Sequence, residues 1–402
     1  MNDVLSGHMK PVVPASLILV LGAVVAIGPL AIDMYLPALP RLQSYFATDA
    51  SAVQLTLASF FVGIALGQLF YGPLSDRYGR RKPLIFGMLG FAVASVACAY
   101  APSIEALVIW RFFQAMTGCA GMVISRAIVR DLCTPQEMAR VLSLLILVMG
   151  IAPILAPLLG SISLEYFDWQ SLFGFLGACG ALCAVLVIGV VPETLPTERR
   201  ESMLSLAGVW RNYRQVAGHK RFMGYALAGG VAQAGMFSYI SASSFVFIGS
   251  YGFTSSQFAF LFGSNAFGLV LASQINRAAL SRFPVQRVLG LALGTYSVFA
   301  LLMVLAASTG WGGAVSVIVP LWICLACLGF TFPNSTAAAM APFGDRAGAA
   351  SALMGTMQFT IAGLASAAVG HYKGNGAVPM ASMMAACALT AWLLLRWVRR
   401  QV

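Results

Sequence analysis

The sequence predicts an all-α membrane protein of twelve transmembrane helices, grouped as two pseudo-symmetric six-helix bundles with both termini cytoplasmic. Three observations carry that expectation. Of the 402 residues, 59% are apolar and only 9% charged, against about 25% charged in soluble globular chains. Apolar runs of about 20 residues, enough to cross a hydrocarbon core, recur along the whole chain. Between the second and third runs lies a dense basic turn, Gly72 to Pro83, and short loops rich in Lys and Arg stay on the cytoplasmic side.

The runs fall near 13–38, 51–71, 83–101, 104–129, 137–162 and 168–191, then 222–248, 256–280, 287–309, 313–340, 347–370 and 378–398. Of the 24 Lys and Arg, only Arg41 and Lys373 fall in outside loops and Arg111 within a span. All the others then lie on one side, which requires an even number of crossings. The net charge of +11 would suggest a nucleic-acid partner in a soluble chain. Here the cations orient helices, and no nucleic acid is expected. The first run is too long for a cleavable leader and holds Pro29, Asp33 and Pro37, so it reads as a retained span.

That first span ends in Asp33-Met-Tyr35-Leu-Pro37-Ala-Leu-Pro40. Asp33 stands seven residues before Pro40, about 10 Å inside the span end. An ionised group there costs several kcal/mol unless paired or hydrated, so it reads as functional. The alternative is a helix break at Pro29 that leaves Asp33 at the interface. Of the thirteen Asp and Glu it alone falls inside a span. The second span carries Gln54, Gly63, Gly67 and Gln68, its glycines spaced for close helix contact. The turn follows, with Gly72, Asp76, Arg77, Gly79, Arg80, Arg81 and Lys82.

In the fourth span Arg111 lies seven residues in, at the same depth as Asp33, and is expected to be its electrostatic partner. Gln114 is one turn further on. Arg126 is 15 residues or roughly 22 Å from Arg111, which suits an anchor for an inner gate. The fifth span contains Pro153, Pro157 and Gly160, a combination that bends a helix and lets a neighbour approach. A polar stretch, 192–221, then joins an N-terminal bundle, 1–191, to a C-terminal one, 222–402. It is too short for a folded core and has room for one surface helix.

The second bundle has no acid within its spans but carries polar and aromatic residues, among them Phe237, Tyr239, Asn265, Asn334 and Gln358. A displacement of 205 residues sets Ser281-Arg282 against Asp76-Arg77, a weak internal repeat. The eight cysteines lie mostly in apolar runs. No disulfides are expected, and Cys324-Leu-Ala-Cys327 reads as small packing residues. His8, His219 and His371 lie outside the spans without metal-spaced carboxylates, so neither an enzyme nor a metal centre is indicated.

Several of these segments resemble known motifs. Gly72-x3-Asp76-Arg77-x-Gly79-Arg80-Arg81 is similar to the loop between helices 2 and 3 of the major facilitator superfamily of transporters. Leu107-x3-Arg111-x2-Gln114-x3-Gly118 resembles the helix 4 motif of proton-coupled facilitators, with Ala115 where the family often has glycine. Ala156-Pro157-x2-Gly160-Ser161 resembles the antiporter motif of helix 5, with alanine and serine replacing two glycines. At subfamily level Asp33-Met-Tyr-Leu-Pro-Ala-Leu-Pro40, Arg126-Ala-Ile-Val-Arg-Asp131, Pro192-Glu-Thr-Leu-Pro196 and Gly235-Met-Phe-Ser238 look like the Bcr/CflA group of bacterial drug exporters, bicyclomycin and phenicols among their substrates.

The resemblance implies the facilitator fold in a bacterial inner membrane. It implies a monomer that exchanges an amphipathic drug for protons by alternating access, driven by the proton gradient without a cofactor. Asp33 would be the proton-coupling carboxylate with Arg111 beside it. Gly72, Asp76, Arg77, Gly79, Arg80 and Arg126 would gate, with Asp76 facing the start of helix 11 near Ala347 and Gly348. Pro153, Pro157 and Gly160 would form the antiport helix, and the cavity between the halves would draw on Tyr35, Gln54, Gln114, Phe237, Tyr239, Asn265, Asn334 and Gln358. A proton-coupled importer or a uniporter of a small metabolite with the same fold is the alternative.

Overall fold

The computed structural model describes residues 14–197, 206–343, 347–372 and 376–401. Lys373, His8, Asp345 and part of the polar stretch, 198–205, lie outside the described residues. Among those described, twelve helices are long and apolar enough to cross a membrane. The chain begins with α1 (Ala15–Asp33), a 3-10 turn (Leu36–Ala38) and α2 (Leu39–Tyr45), which together make the first crossing. There follow α3 (Ala50–Tyr78), α4 (Arg81–Ala99), α5 (Ile104–Leu132), α6 (Pro135–Tyr166) and α7 (Gln170–Val190). After the short α8 (Leu206–Ala217) come α9 (Lys220–Ser244, continued as a π-helical turn to Ser250), α10 (Ser255–Leu280) and α11 (Val285–Thr309). The last three are α12 (Gly313–Met340), α13 (Ala347–His371) and α14 (Val378–Gln401).

The helix starts follow from local chemistry, because the first N–H groups of a helix need acceptors. Asp49 accepts from the Ala52 amide at 2.7 Å to start α3, and Ser103 does the same for α5. Thr134 with Glu137 and Thr254 with Gln257 form capping boxes at the starts of α6 and α10. At the other end of α3, Gly79 takes φ +86°, a left-handed conformation that residues with a Cβ rarely adopt, and the chain turns there into α4.

One expectation changes. The first crossing is not a single helix that ends near Pro40. It breaks at Asp33, where Pro37 and Pro40 prevent a continuous run of amide donors, and resumes as far as Tyr45. Asp33 therefore sits twelve residues, or about 18 Å of helix, before the end of its crossing rather than about 10 Å.

Helices α1 to α7 pack mainly with one another, and so do α9 to α14. The two sets meet along two seams, α3 against α13 and α6 against α10. The α3–α13 seam is tight because α13 presents glycines there: Gly355 lies against Gln68, Gly363 against the Ala58 carbonyl, and Gly370 against Gln54. The surface helix expected in the polar stretch is α8, which packs on α9 and α13 and reaches α3 through Tyr213 Oη to the Leu69 carbonyl at 3.5 Å.

Candidate functional site

Asp33 occupies the break in the first crossing and is 4% exposed. Around the break, side chains from other helices donate to backbone carbonyls of the first crossing. The Ala31 carbonyl accepts a hydrogen bond from Arg111 Nη1 at 3.0 Å, and the Leu36 carbonyl accepts one from Ser244 Oγ at 2.6 Å, across the two halves. The carboxylate itself has no ion pair and no side-chain hydrogen bond with any described residue. From the C-terminal half it lies within electrostatic reach of Tyr239. Tyr239 is held by Asn265 Nδ2 at 2.9 Å and stacks on Phe262 with centroids 5.6 Å apart.

Arg111 is fully buried. The ion pair with Asp33 suggested by their equal depth is not formed. Arg111 Nη1 instead donates to the Ala31 carbonyl and to Gln114 Oε1, 2.7 Å away, and Gln114 passes the chain on to Ser95 Oγ at 2.7 Å. The guanidinium carbon lies 4.2 Å from the Phe60 ring centroid, 4.7 Å from that of Tyr35 and 5.7 Å from that of Phe173. Its Nε and Nη2 have no hydrogen-bond partner. A cation in an aromatic cage beside the helix break is thus attached to the Asp33 segment through backbone, two residues upstream of the acid.

Gly160 explains why α6 belongs to this site. A Cβ at that position would stand 2.1 Å from the Met34 carbonyl oxygen, so only glycine lets α6 lie directly on the backbone that follows Asp33. Pro153 and Pro157 lie within the same helix, and Gly150 and Ile154 meet Val270 and Gly263 of α10. The helix therefore touches both the acid's segment and the opposite half.

At the end of the molecule that carries the basic turn, Arg80 is 2% exposed and organises the polar contacts. Its guanidinium binds Asp76 at 2.5 Å, Asp131 at 2.9 Å and Ser75 Oγ at 2.9 Å. Burial works against the charge, but the hydrogen bonds with Asp131 and Asp76 outweigh it and raise the Arg80 pKa further. Glu193 completes the turn by accepting from the amides of Arg80 and Arg81 at 2.9 and 3.3 Å, at the start of α4. Thr194 Oγ1 donates to Asp131. Among the described residues Asp76 pairs with Arg80, and the side chain near Gly348 at the start of α13 is Arg130. Arg77 stays outside the cluster, over the Tyr78 ring, and Gly72 has open space around it.

The cavity candidates separate into two groups. Phe237, Tyr239, Asn265, Gln54 and Gln358 belong to the junction or its immediate support. Phe237 packs on Phe61 of α3 at 4.5 Å and on Phe359 of α13 at 5.5 Å, and Gln358 lies beside Gly230 of α9. Tyr35, Gln114 and Asn334 turn into their own halves: Tyr35 Oη meets Thr56 Oγ1 at 2.9 Å, Gln114 bridges Arg111 and Ser95, and Asn334 binds Asn276 at 2.8 Å. Phe61 and Phe359 were not singled out from sequence, and Asp131 and Glu193 stood there only within subfamily motifs, with no role assigned. Phe61 and Phe359 sit in wholly apolar runs where no pattern distinguishes them. Among the described residues no group of three or more His, Cys, Asp or Glu is placed to hold a metal.

Comparison with known proteins agrees with this arrangement. The chain is 35% identical to the uncharacterised transporter YdgK of Bacillus subtilis, over 92% of each chain. It is 30% identical to a bicyclomycin resistance protein homolog of Haemophilus influenzae over 94% of each. A chloramphenicol resistance protein of Pseudomonas aeruginosa is 29% identical, over 77% of this chain and 73% of that one. The fold matches the partially occluded, inward-open xylose transporter XylE of Escherichia coli with a TM-score of 0.75 and 13% identity, over 95% of this chain and 97% of that one. The sequence profile of the Major Facilitator Superfamily covers residues 21–367, and with its twelve crossings, paired helix sets and basic turn the chain belongs to that superfamily of transporters.

Proposed function

We propose that the protein exports a small amphipathic compound across a bacterial inner membrane in exchange for protons, by alternating access of its two halves, with Asp33 as the coupling group. The observation that carries this reading is Asp33 itself: a buried, unpaired carboxylate at a helix break, beside the opposite half. Moving such a group between dry and wet surroundings changes the cost of its charge, so proton uptake and release can follow the rocking of the halves. Gly160 and the prolines of α6 support the same reading, because they join the acid's segment to a helix that also touches α10. The relatives named for bicyclomycin and chloramphenicol resistance support export of an amphipathic drug.

Asp33→Asn tests the mechanism, since it keeps shape and hydrogen bonding but cannot titrate. In proteoliposomes it is expected to abolish uphill transport driven by a pH gradient, while drug binding persists and loses its pH dependence. Full gradient-driven transport by this variant would return Asp33 to a structural role at the helix break.

A further inference from the structure

Arg126 is an exposed cation on α5, a helix long and apolar enough to cross a membrane. The lipid side of α5 is marked by Ile109, Trp110 and Phe113, all exposed. At 100° per residue Arg126 points more than about 90° away from them, to the side of Cys119 and Met122. Cys119 donates to the Ile64 carbonyl of α3, and Met122 lies against Gly28 of α1. The Arg126 side chain is therefore flanked by α1 and α3, with the C-terminal half beyond, and its exposure is to water entering between the halves from the basic end. A guanidinium turned to hydrocarbon instead would be costly.

Nothing described neutralises it. Arg126 makes no ion pair or side-chain hydrogen bond with a described residue. Asp76 and Asp131 are both held by Arg80, and Glu193 by the turn. Beyond residue 222 the only acid in the sequence is Asp345, which, like Glu198 and Glu201, lies outside the described residues. Deeper in, the charges of Asp33 and Arg111 cancel when Asp33 is ionised and leave a cation when it is protonated. At the rim Arg130 stands against Gly348 in the first turn of α13, whose N-terminus adds partial positive charge.

We propose that the opening at the basic end is an electropositive vestibule set by Arg126, and that its cargo is a neutral or anionic amphiphile. Monocations are disfavoured about tenfold, the scale of one charge acting across roughly 10 Å of partly screened space. The vestibule follows from the charges alone. The statement about cargo rests on the exporter reading above.

Two measurements test the two parts separately. In the full chain carrying Met122→Cys, modification rates are compared for the anionic sulfonatoethyl and the cationic trimethylammonioethyl methanethiosulfonates, each normalised to its rate with a free small thiol. The normalised ratio is expected to favour the anion at least tenfold, to fall toward unity with Arg126→Gln, and to invert with Arg126→Glu. A ratio within twofold of unity when Arg126 is present, as a neutralising acid would give, overturns the vestibule.

Proteoliposome flux is then measured for chloramphenicol, its anionic succinate half-ester and its cationic deacylated amine. The amine is expected to move at no more than a tenth of the parent's rate and to gain at least threefold on it in Arg126→Gln. Transport of the amine as fast as the parent overturns the cargo class. If none of the three moves under a pH gradient, the exporter reading fails for such compounds and the cargo statement falls with it, while the thiol rates still decide the charge of the vestibule.

Discussion

Arg111 shows how a buried charge can be costly and still retained. It makes two hydrogen bonds and three ring contacts, yet Nε and Nη2 remain unpaired and no carboxylate faces them. Cation–ring contacts in a dry site contribute about 2 kcal/mol, whereas burying an uncompensated ion costs several. Arg111→Met, similar in length and apolar, is therefore expected to keep or raise the melting temperature in detergent while gradient-driven transport falls at least tenfold. A drop of more than about 5 °C would show that the cage stabilises more than the charge costs. Gly160→Ala should behave in the opposite way. The added methyl collides with backbone rather than with a flexible side chain, so both stability and transport are expected to fall, the former by about 1–3 kcal/mol in thermal unfolding.

Among the elements, the α3–α4 turn shows how a loop motif becomes a fixed joint. Glu193 accepts from two amides that open α4, a carboxylate at the positive end of a helix. Glu193→Ala is expected to cost about 1–2 kcal/mol of stability, the usual scale of a lost cap. Asp76→Asn weakens one of the two carboxylate contacts of Arg80 and leaves Asp131 in place. The Asp33 segment meets α3 through Tyr35 and Thr56, twenty residues or about 30 Å of helix before Asp76, so this variant should slow transport several-fold with drug affinity in detergent nearly unchanged. Equal loss of rate and affinity would place Asp76 in the binding site. The turn was recognisable as a unit because its charges and glycines are contiguous. Its partners were not, since Asp131 and Glu193 are 51 and 113 residues from Arg80.

For the whole molecule, the contacts between the halves are distributed unevenly along its length. The α3–α13 seam is tight from Gln54 to Gln68, the middle half of α3. At the end away from the basic turn the halves also meet through Ser244 and Leu36 and through Ser256 and Glu165. In the alternating access proposed above, those contacts part while the seam serves as the axis. Leu36→Cys with Ser244→Cys, at positions where the Ser244 side chain reaches the Leu36 backbone carbonyl across the halves, is expected to form a disulfide under mild oxidation and to stop transport until reductant is added. Undiminished transport by the oxidised pair would mean that this contact does not open.

The number of crossings, their approximate ends, the basic turn and the isolation of Asp33 among thirteen acids were all legible in the sequence. Each depends on composition within a run or on the order of charges along the chain, and needs no knowledge of which helix lies beside which. Which way a helix faces was decided only by tertiary structure. In a membrane both the lipid side and the packed side of a helix are apolar, so the periodic contrast that orients a soluble helix is largely missing. That is why Tyr35, Gln114 and Asn334 could not be assigned to their own halves, or Phe61 and Phe359 to the junction. It is also why Gly160, recognisable as a motif residue, gained its physical meaning only when the fold laid it on the Met34 carbonyl.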